Sequence, residues 1–524
     1  MQLTWLSLLP PLVVIGAMCI MQRLNISLLI GIISAALIAS QGNIFVAAQL
    51  CVQKGIAHFS DIDMLFLYAL VIVISSLIIL LTKTGSAIGC ARIMSARVKT
   101  ARGGEICAVL LALLLSIDDY LSILTVGLVM GPMTKSLAIA KTKLAYIMRA
   151  LASPLVIIVP ISTWAAAILA QLDVAGVNVS ATSRIYADSF YVYLKTIPFV
   201  FYSLFTVFSV WLLVLTRIGY GPIGRAESNM PRDHDDRDGL PDEVVADNHS
   251  LIELFLPIIV LMGSVFVGIL YTGNYYAFGG SNSFMEAFRQ NDKTFLILLI
   301  SSSIAFMVSA LLFLRKKMIV LSQIPTIIFE GFEFIKSAII MVVLASLLAI
   351  FLRIDLQTGS YLASVLLGKA PLYLLPVLFF IVSLIITLMT GSAWGTFSML
   401  IPIATQMLIS FLQIMPPVSP DQLPLLFPVL GAVLSGAACG NQLSPFADTT
   451  AMTATSAGID PLEHAKTQVW YAIPVIIGTV VSFIIAGLMV DNGLLQSFIT
   501  SAGAGIAITV VLFLLCSYNK KASR

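Results

Sequence analysis

Long apolar runs alternate along this chain with short polar interruptions, and none of the runs shows the period-two alternation of a barrel strand. Apolar stretches fall near 3–21, 24–40, 64–82, 104–117, 119–133, 144–171, 196–216 and 251–271. They recur near 295–314, 335–352, 372–390, 393–414, 424–440, 445–457, 470–490 and 497–517. Runs of about 18 residues or more can cross a hydrocarbon core roughly 30 Å thick as helices, whereas shorter ones fit half helices or re-entrant segments. The pattern predicts an all-α polytopic membrane protein of about 11–13 transmembrane helices in two related halves with discontinuous, re-entrant helices. The polar stretch 225–250, rich in charge and too poor in apolar residues to build a core, is read as a solvated cytoplasmic linker. It divides an N-terminal membrane half, 1–224, from a C-terminal one, 251–524.

Composition agrees: 59% of residues are hydrophobic, 10% are charged, and mean hydropathy is +1.01. A soluble domain carries roughly 25% charge, so a soluble enzyme is excluded. The net charge of +3 hides an uneven distribution, because Glu227, Asp233, Asp235, Asp236, Asp238, Asp242, Glu243 and Asp247 crowd into the linker. Carboxylates elsewhere are few and conspicuous. Asp233 and Asp235 have the spacing of a calcium loop, but Arg237 and Val244 stand at positions that would have to be ligands. Lys and Arg cluster at Lys83–Arg102, Lys135–Lys143, Arg315–Lys317 and the C-terminus, which assigns those ends to the cytoplasm. The stretch 41–63 holds only Lys54 and is read as an external loop. The first run, lacking a basic segment before it, is read as a retained span.

Candidate chemistry starts with Ser116-Ile117-Asp118-Asp119-Tyr120, which interrupts an apolar run. A charge at membrane depth costs at least about 2.5–3.5 kcal/mol, so such residues face a pathway or cavity unless they cap a helix at the surface. Two adjacent carboxylates cannot both stay ionised cheaply, and a proton and a hard cation then compete for the same oxygens. Asp118, Asp119 and Asp448 are the expected proton- and cation-binding carboxylates, with Na⁺ at Asp118 and Asp119 and Thr125 as a further oxygen. Downstream, Gly440-Asn441 to Thr450 should break a helix at Asn441 and Ser444, and open the next one at Asp448 and Thr449. Thr390-Gly391-Ser392-Ala393-Trp394-Gly395-Thr396 is read as unwound backbone lining a cavity, with Ser392 and Thr396 as polar contributors. Thr84-Gly85-Ser86-Ala87 echoes it and suggests internal duplication. His58, His234, His249 and His464 are read as loop residues, the six cysteines as small unpaired side chains, and no nucleophile–base pair stands out, so no enzyme is expected.

Taken in order, Ile117-Asp118-Asp119-Tyr120, Lys143-Leu144-Ala145-Tyr146, Pro160-Ile161-Ser162 with Trp164, Ser392 to Thr396, Ile401-Pro402-Ile403 and Ser444-Pro445 with Asp448-Thr449-Thr450 resemble the NhaC-type Na⁺/H⁺ antiporters of the ion-transporter superfamily. The resemblance implies Na⁺/H⁺ antiport by alternating access in the plasma (inner) membrane, although some relatives exchange malate or lactate. The chain departs from the family pattern at Asn441, where an Asp is typical, at Gln442 and Leu443, and at Lys135 and Arg149, which replace acids. Arg149 is an anchor at the cytoplasmic end of a helix, a counter-charge that neutralises the carboxylate pair, or a grip for an anionic substrate. The resulting expectation is a secondary transporter without cofactors whose ligands are Na⁺ and H⁺. The alternative is a Na⁺- or H⁺-coupled carrier of an organic acid or amino acid. Its partners are the lipid bilayer and a small cation or small-molecule substrate, not nucleic acid, with a homodimer as the assembly to test.

Overall fold

The computed structural model describes residues 4–228 and 250–522, apart from Arg97, Ala181, Gly368, Ala370 and Ile414. The apolar runs become helices, most of them bounded by a polar cap, a proline or a left-handed residue. α1 (Leu9–Met21) and α2 (Leu24–Ala39) form a hairpin across Gln22, whose φ is 51°. α2 then bends by 119° into α3 (Ile44–Ser60), capped by the Asn43 side chain. The expected external loop at 41–63 is therefore a helix. Its polar residues interrupt any span-length apolar run, yet they bond inward: Lys54 pairs with Asp355 at 2.8 Å, and His58 meets the Tyr68 hydroxyl at 2.7 Å.

α4 (Ile62–Lys83), α5 (Ser86–Ser95), α6 (Ala101–Leu114), α7 (Asp119–Ser136), α8 (Lys141–Val156) and α9 (Thr163–Val174) follow. The run at 144–171 is thus split into two helices. The backbone unwinds around Pro160, which has no amide to donate, and restarts where Ser162 accepts the Ala165 amide at 3.0 Å. A parallel pair of short strands, β1 (Val177–Asn178) and β2 (Ile185–Tyr186), precedes α10 (Ser189–Thr196), α11 (Phe201–Thr216) and α12 (Gly221–Ser228). Arg225 and Glu227 of the expected linker lie in α12. Residues 229–249, with the Asp233-x-Asp235 pattern, His234 and His249, fall outside the described residues.

The chain continues through α13 (Ile252–Thr272), α14 (Phe284–Arg289), α15 (Thr294–Arg315), α16 (Ile324–Ile350) and α17 (Thr358–Leu366). It closes with α18 (Leu375–Thr390), α19 (Ala393–Phe411), α20 (Leu426–Leu443), α21 (Asp448–Ala457), α22 (Pro461–Leu488) and α23 (Leu494–Ala522). Among the described residues, 10 helices are long and apolar enough to cross a membrane, or up to 11 if the bent α2–α3 pair is one span.

The centre of the molecule is α20, buried along its whole length. A Cβ at Gly440 would sit 2.6 Å from the Leu384 carbonyl oxygen of α18, so only glycine lets the two backbones approach this closely. Ionic contacts reach the interior too. Lys143 of α8 pairs with Glu105 of α6 at 2.8 Å and with Glu227 of α12. His464, expected in a solvated loop, is buried instead: Asp460 caps α22 just before Pro461, so the first turn already packs inward. All six cysteines are free, with Cys90, Cys107 and Cys439 buried.

Candidate functional site

Three breaks in the helices converge. Between α6 and α7 the chain turns through Leu115–Ile117. Asp118 then caps α7, its Oδ1 accepting the Leu121 amide at 3.0 Å and its Oδ2 the Thr163 hydroxyl at 3.1 Å. Both oxygens of Asp118 are therefore engaged in joining the starts of α7 and α9. Between α18 and α19, Gly391 is left-handed at φ 72°, and Ser392 caps α19 by accepting the Gly395 amide at 3.1 Å. Gly85, in the echoed motif, makes the same left-handed break at φ 68° between α4 and α5. Between α20 and α21 the backbone opens at Ser444–Ala447, and Asp448 is the first residue of α21.

These breaks enclose a cavity of about 690 Å³. Asp118, Asp119, Asn441, Asp448 and Thr449 line it, together with Thr163 and Ser392. Trp164 and Trp394 meet edge to face at 6.0 Å beside it and tie the N-termini of α9 and α19 together. The exposed side chains of Arg23 and Phe334 also line the cavity, and we take its mouth to lie there, one turn along α16 from the Lys83–Glu330 ion pair (2.6 Å). Asp119 is 2% exposed, whereas Asp448 is open to the cavity and accepts a hydrogen bond from the Tyr120 hydroxyl.

Behind Asp119 stands a polar clamp. Arg149, fully buried, donates from Nε to Thr450 Oγ1 at 3.3 Å and from Nη1 to Ser153 Oγ at 3.0 Å. Its Nη2 donates to Asn441 Oδ1 at 2.8 Å and to the Asn441 carbonyl oxygen. Ser153 Oγ lies 2.9 Å from Asn441 Oδ1 and 3.4 Å from Asp119 Oδ2. Thr449 Oγ1 lies 3.4 Å from Asn441 Oδ1, and Asn441 Nδ2 donates to the Gly391 carbonyl at 3.0 Å. Each guanidinium nitrogen thus has a protein acceptor, and Arg149 does not line the cavity. The reading of Arg149 as an exposed helix-end anchor is replaced by that of a buried brace across the α20–α21 break.

The other expected residues fall at varying distances. Ser444 donates to the Leu388 carbonyl at 2.9 Å, and its own carbonyl accepts from Thr450 at 2.8 Å, so it shapes the break from outside the cavity. Thr396 likewise stands one bond away, donating to the Ser392 carbonyl at 2.9 Å. Thr125 is buried within α7 and does not line the cavity. Tyr120 and Ser153 were not anticipated as site residues. Ser153 carries a readable signal, because it sits one helical turn after Arg149 on the same face. Among the described residues no three His, Cys, Asp or Glu side chains are grouped so as to hold a metal ion, so a cation here would draw on hydroxyl and carbonyl oxygens beside the carboxylates.

A second cavity, about 480 Å³, lies at the far ends of the same two helices that wall the first. Thr163 of α9 and Met341 of α16 line one, while Asp173 and Ile350, about 15 Å further along each helix, line the other. Between them Gln171 Nε2 donates to Ser346 Oγ at 3.2 Å, both side chains fully buried.

Membrane-length helices broken around buried carboxylates define a multi-pass integral membrane transporter. The chain belongs to the Na⁺/H⁺ antiporter family, whose profile matches residues 178–488, and it is a secondary transporter. The matched stretch holds Ser392, Thr396, Asn441, Ser444, Asp448 and Thr449, and begins after Asp118, Asp119, Thr125 and Arg149. Over 513 residues, 97% of this chain and 94% of the other, it is 27% identical to an uncharacterized protein of Haemophilus influenzae. A segment of 61 residues, 12% of this chain and 13% of the relative, is 36% identical to the malate-2H(+)/Na(+)-lactate antiporter of Bacillus subtilis. The fold is similar to that of the Alcanivorax borkumensis YdaH transporter, with a TM-score of 0.55 over 87% of this chain and 90% of that one at 14% identity.

Proposed function

We propose that the protein exchanges Na⁺ for H⁺ by alternating access, with Asp119 as the group for which the two ions compete. The observation that carries this reading is the placement of Asp119: a carboxylate almost wholly removed from solvent, at the wall of the cavity, in reach of the Ser153 hydroxyl. Asp118 serves mainly to fix the start of α7, since both its oxygens accept bonds from the protein. Asp448, near the mouth and held by Tyr120, supplies a second charge on the approach. Asn441, Ser392 and Thr449 offer neutral oxygens, and Arg149 holds Asn441 in place. Residues 1–224 and 251–524 would each contribute broken helices to this one site.

The carrier of an organic acid needs a cation aimed into the cavity. Arg149, which was to be that cation, directs its donors to Asn441, Ser153 and Thr450, and so lends this alternative no support. The test is proton flux in proteoliposomes, followed with a pH-sensitive dye during pulses of Na⁺, K⁺, Li⁺ and organic acids. A pH change specific to Na⁺, abolished in Asp119→Asn while the variant stays folded, is the expected result. Unaltered exchange in that variant, or a response to organic acids alone, would refute the proposal.

A further inference from the structure

A third cavity, about 390 Å³, is almost purely apolar and lies apart from the exchange site. Met262, Phe266 and Ile269 of α13 form one wall, Phe284 and Phe288 of α14 its end, and Lys195 of α10 its only charged lining residue. Its aromatic rings pack on one another, with Phe284 and Phe288 centroids 5.2 Å apart and Phe266 and Phe288 6.1 Å apart, yet Phe266, Met262 and Met285 remain 48%, 41% and 44% exposed. α13 is one of the membrane-length helices. From Met262 to its end at Thr272 the helix rises about 15 Å, half of a hydrocarbon core roughly 30 Å thick. With α13 spanning a bilayer, the groove along Met262–Ile269 would lie within one leaflet, alongside its acyl chains.

Lys195 is half-buried, and among the described residues it has neither an ion pair nor a hydrogen bond; its ammonium lies 5.8 Å from the centroid of the Tyr191 ring. A lysine near a membrane surface attracts anionic lipid by about 1 kcal/mol. We propose that this groove binds one anionic phospholipid, an acyl chain lying along α13 and the headgroup phosphate meeting Lys195. The opposite wall gives the lipid a route to the exchange site. Pro160 and Ile161 line the groove and belong to the unwound segment between α8 and α9. Tyr193 of α10 pins that segment by donating to the Ile157 carbonyl at 2.9 Å, and Ser162 at its end caps α9, whose Thr163 holds Asp118.

The test is native mass spectrometry of the full-length protein taken from vesicles of phosphatidylglycerol and phosphatidylcholine with matched acyl chains. One lysine near the surface supports a preference of about fivefold for the anionic lipid. The wild type should retain phosphatidylglycerol by that margin, Lys195→Gln should lose the preference, and Lys195→Arg should keep it. Met262→Trp and Met285→Trp, which fill the groove from its exposed side, should release both lipids without lowering the melting temperature in neutral detergent. Equal retention by all variants, or no headgroup preference in the wild type, would overturn the proposal. Because the readout is binding, it stands or falls independently of Na⁺ and proton flux.

Discussion

Ser153 has one hydroxyl proton and two acceptors within reach, Asn441 Oδ1 at 2.9 Å and Asp119 Oδ2 at 3.4 Å, while Arg149 donates to its oxygen. If Asp119 is the exchange carboxylate, its ionised form would draw this proton and its protonated form would leave it to Asn441. The hydroxyl thus links Asp119 to the brace across the α20–α21 break. Ser153→Ala leaves the buried Arg149 Nη1 without its acceptor and should cost about 1–3 kcal/mol of stability, with the protein still folded. Exchange should nevertheless slow by roughly tenfold, since a 1.4 kcal/mol penalty on one coupled state is a factor of ten. Proteoliposome flux beside a melting curve decides it, and wild-type flux would remove the hydroxyl from the coupling. Asp118, Asp119 and Asp448 could be singled out from the sequence because charge is rare in apolar runs. Ser153 was legible only as a neighbour of Arg149 and Tyr120 only as part of the Asp118-Asp119 motif, because hydroxyls are common in such runs and only the fold shows which of them meet a carboxylate.

At the scale of elements, the breaks matter more than the helices. Gly391 is left-handed, and a Cβ there would lie 2.9 Å from the backbone of Phe446, where α20 gives way to α21. Gly42 is also left-handed, at φ 87°, but has nothing within 4 Å. Alanine at either position meets the left-handed penalty of about 1–2 kcal/mol; only at Gly391 must two broken elements also move apart. Gly391→Ala should lower the melting temperature further than Gly42→Ala and abolish exchange, whereas Gly42→Ala should retain it. Equal losses in the two variants would show that contact between the breaks is unimportant. The breaks at Asp118, Gly391 and Ser444 were readable from Pro, Gly and polar residues inside apolar runs. α3 and the burial of His464 were not, because hydropathy averaged along a segment cannot tell a solvated polar residue from one bonded inward, as His58 is to Tyr68.

Across the whole molecule, two cavities share the walls α9 and α16 and are parted by the Gln171–Ser346 hydrogen bond. Alternating access requires this partition to open when the mouth near Arg23 closes. A Ser346→Cys thiol, in a background without the native cysteines, should react with a membrane-impermeant maleimide from the Lys54 side during Na⁺/H⁺ exchange and stay protected at rest. Labelling at the same rate with and without ion gradients would show that the partition does not move. Which helices travel together is written in the ionic bolt at the other end of the protein, where Lys143 of α8 holds Glu105 of α6 and Glu227 of α12. α12 ends one residue after Glu227, and α8 carries Arg149 and Ser153. A fluorophore attached at Ser228 would therefore ride on the same rigid block as the brace of the ion site, a vantage point from which turnover could be watched optically in living cells.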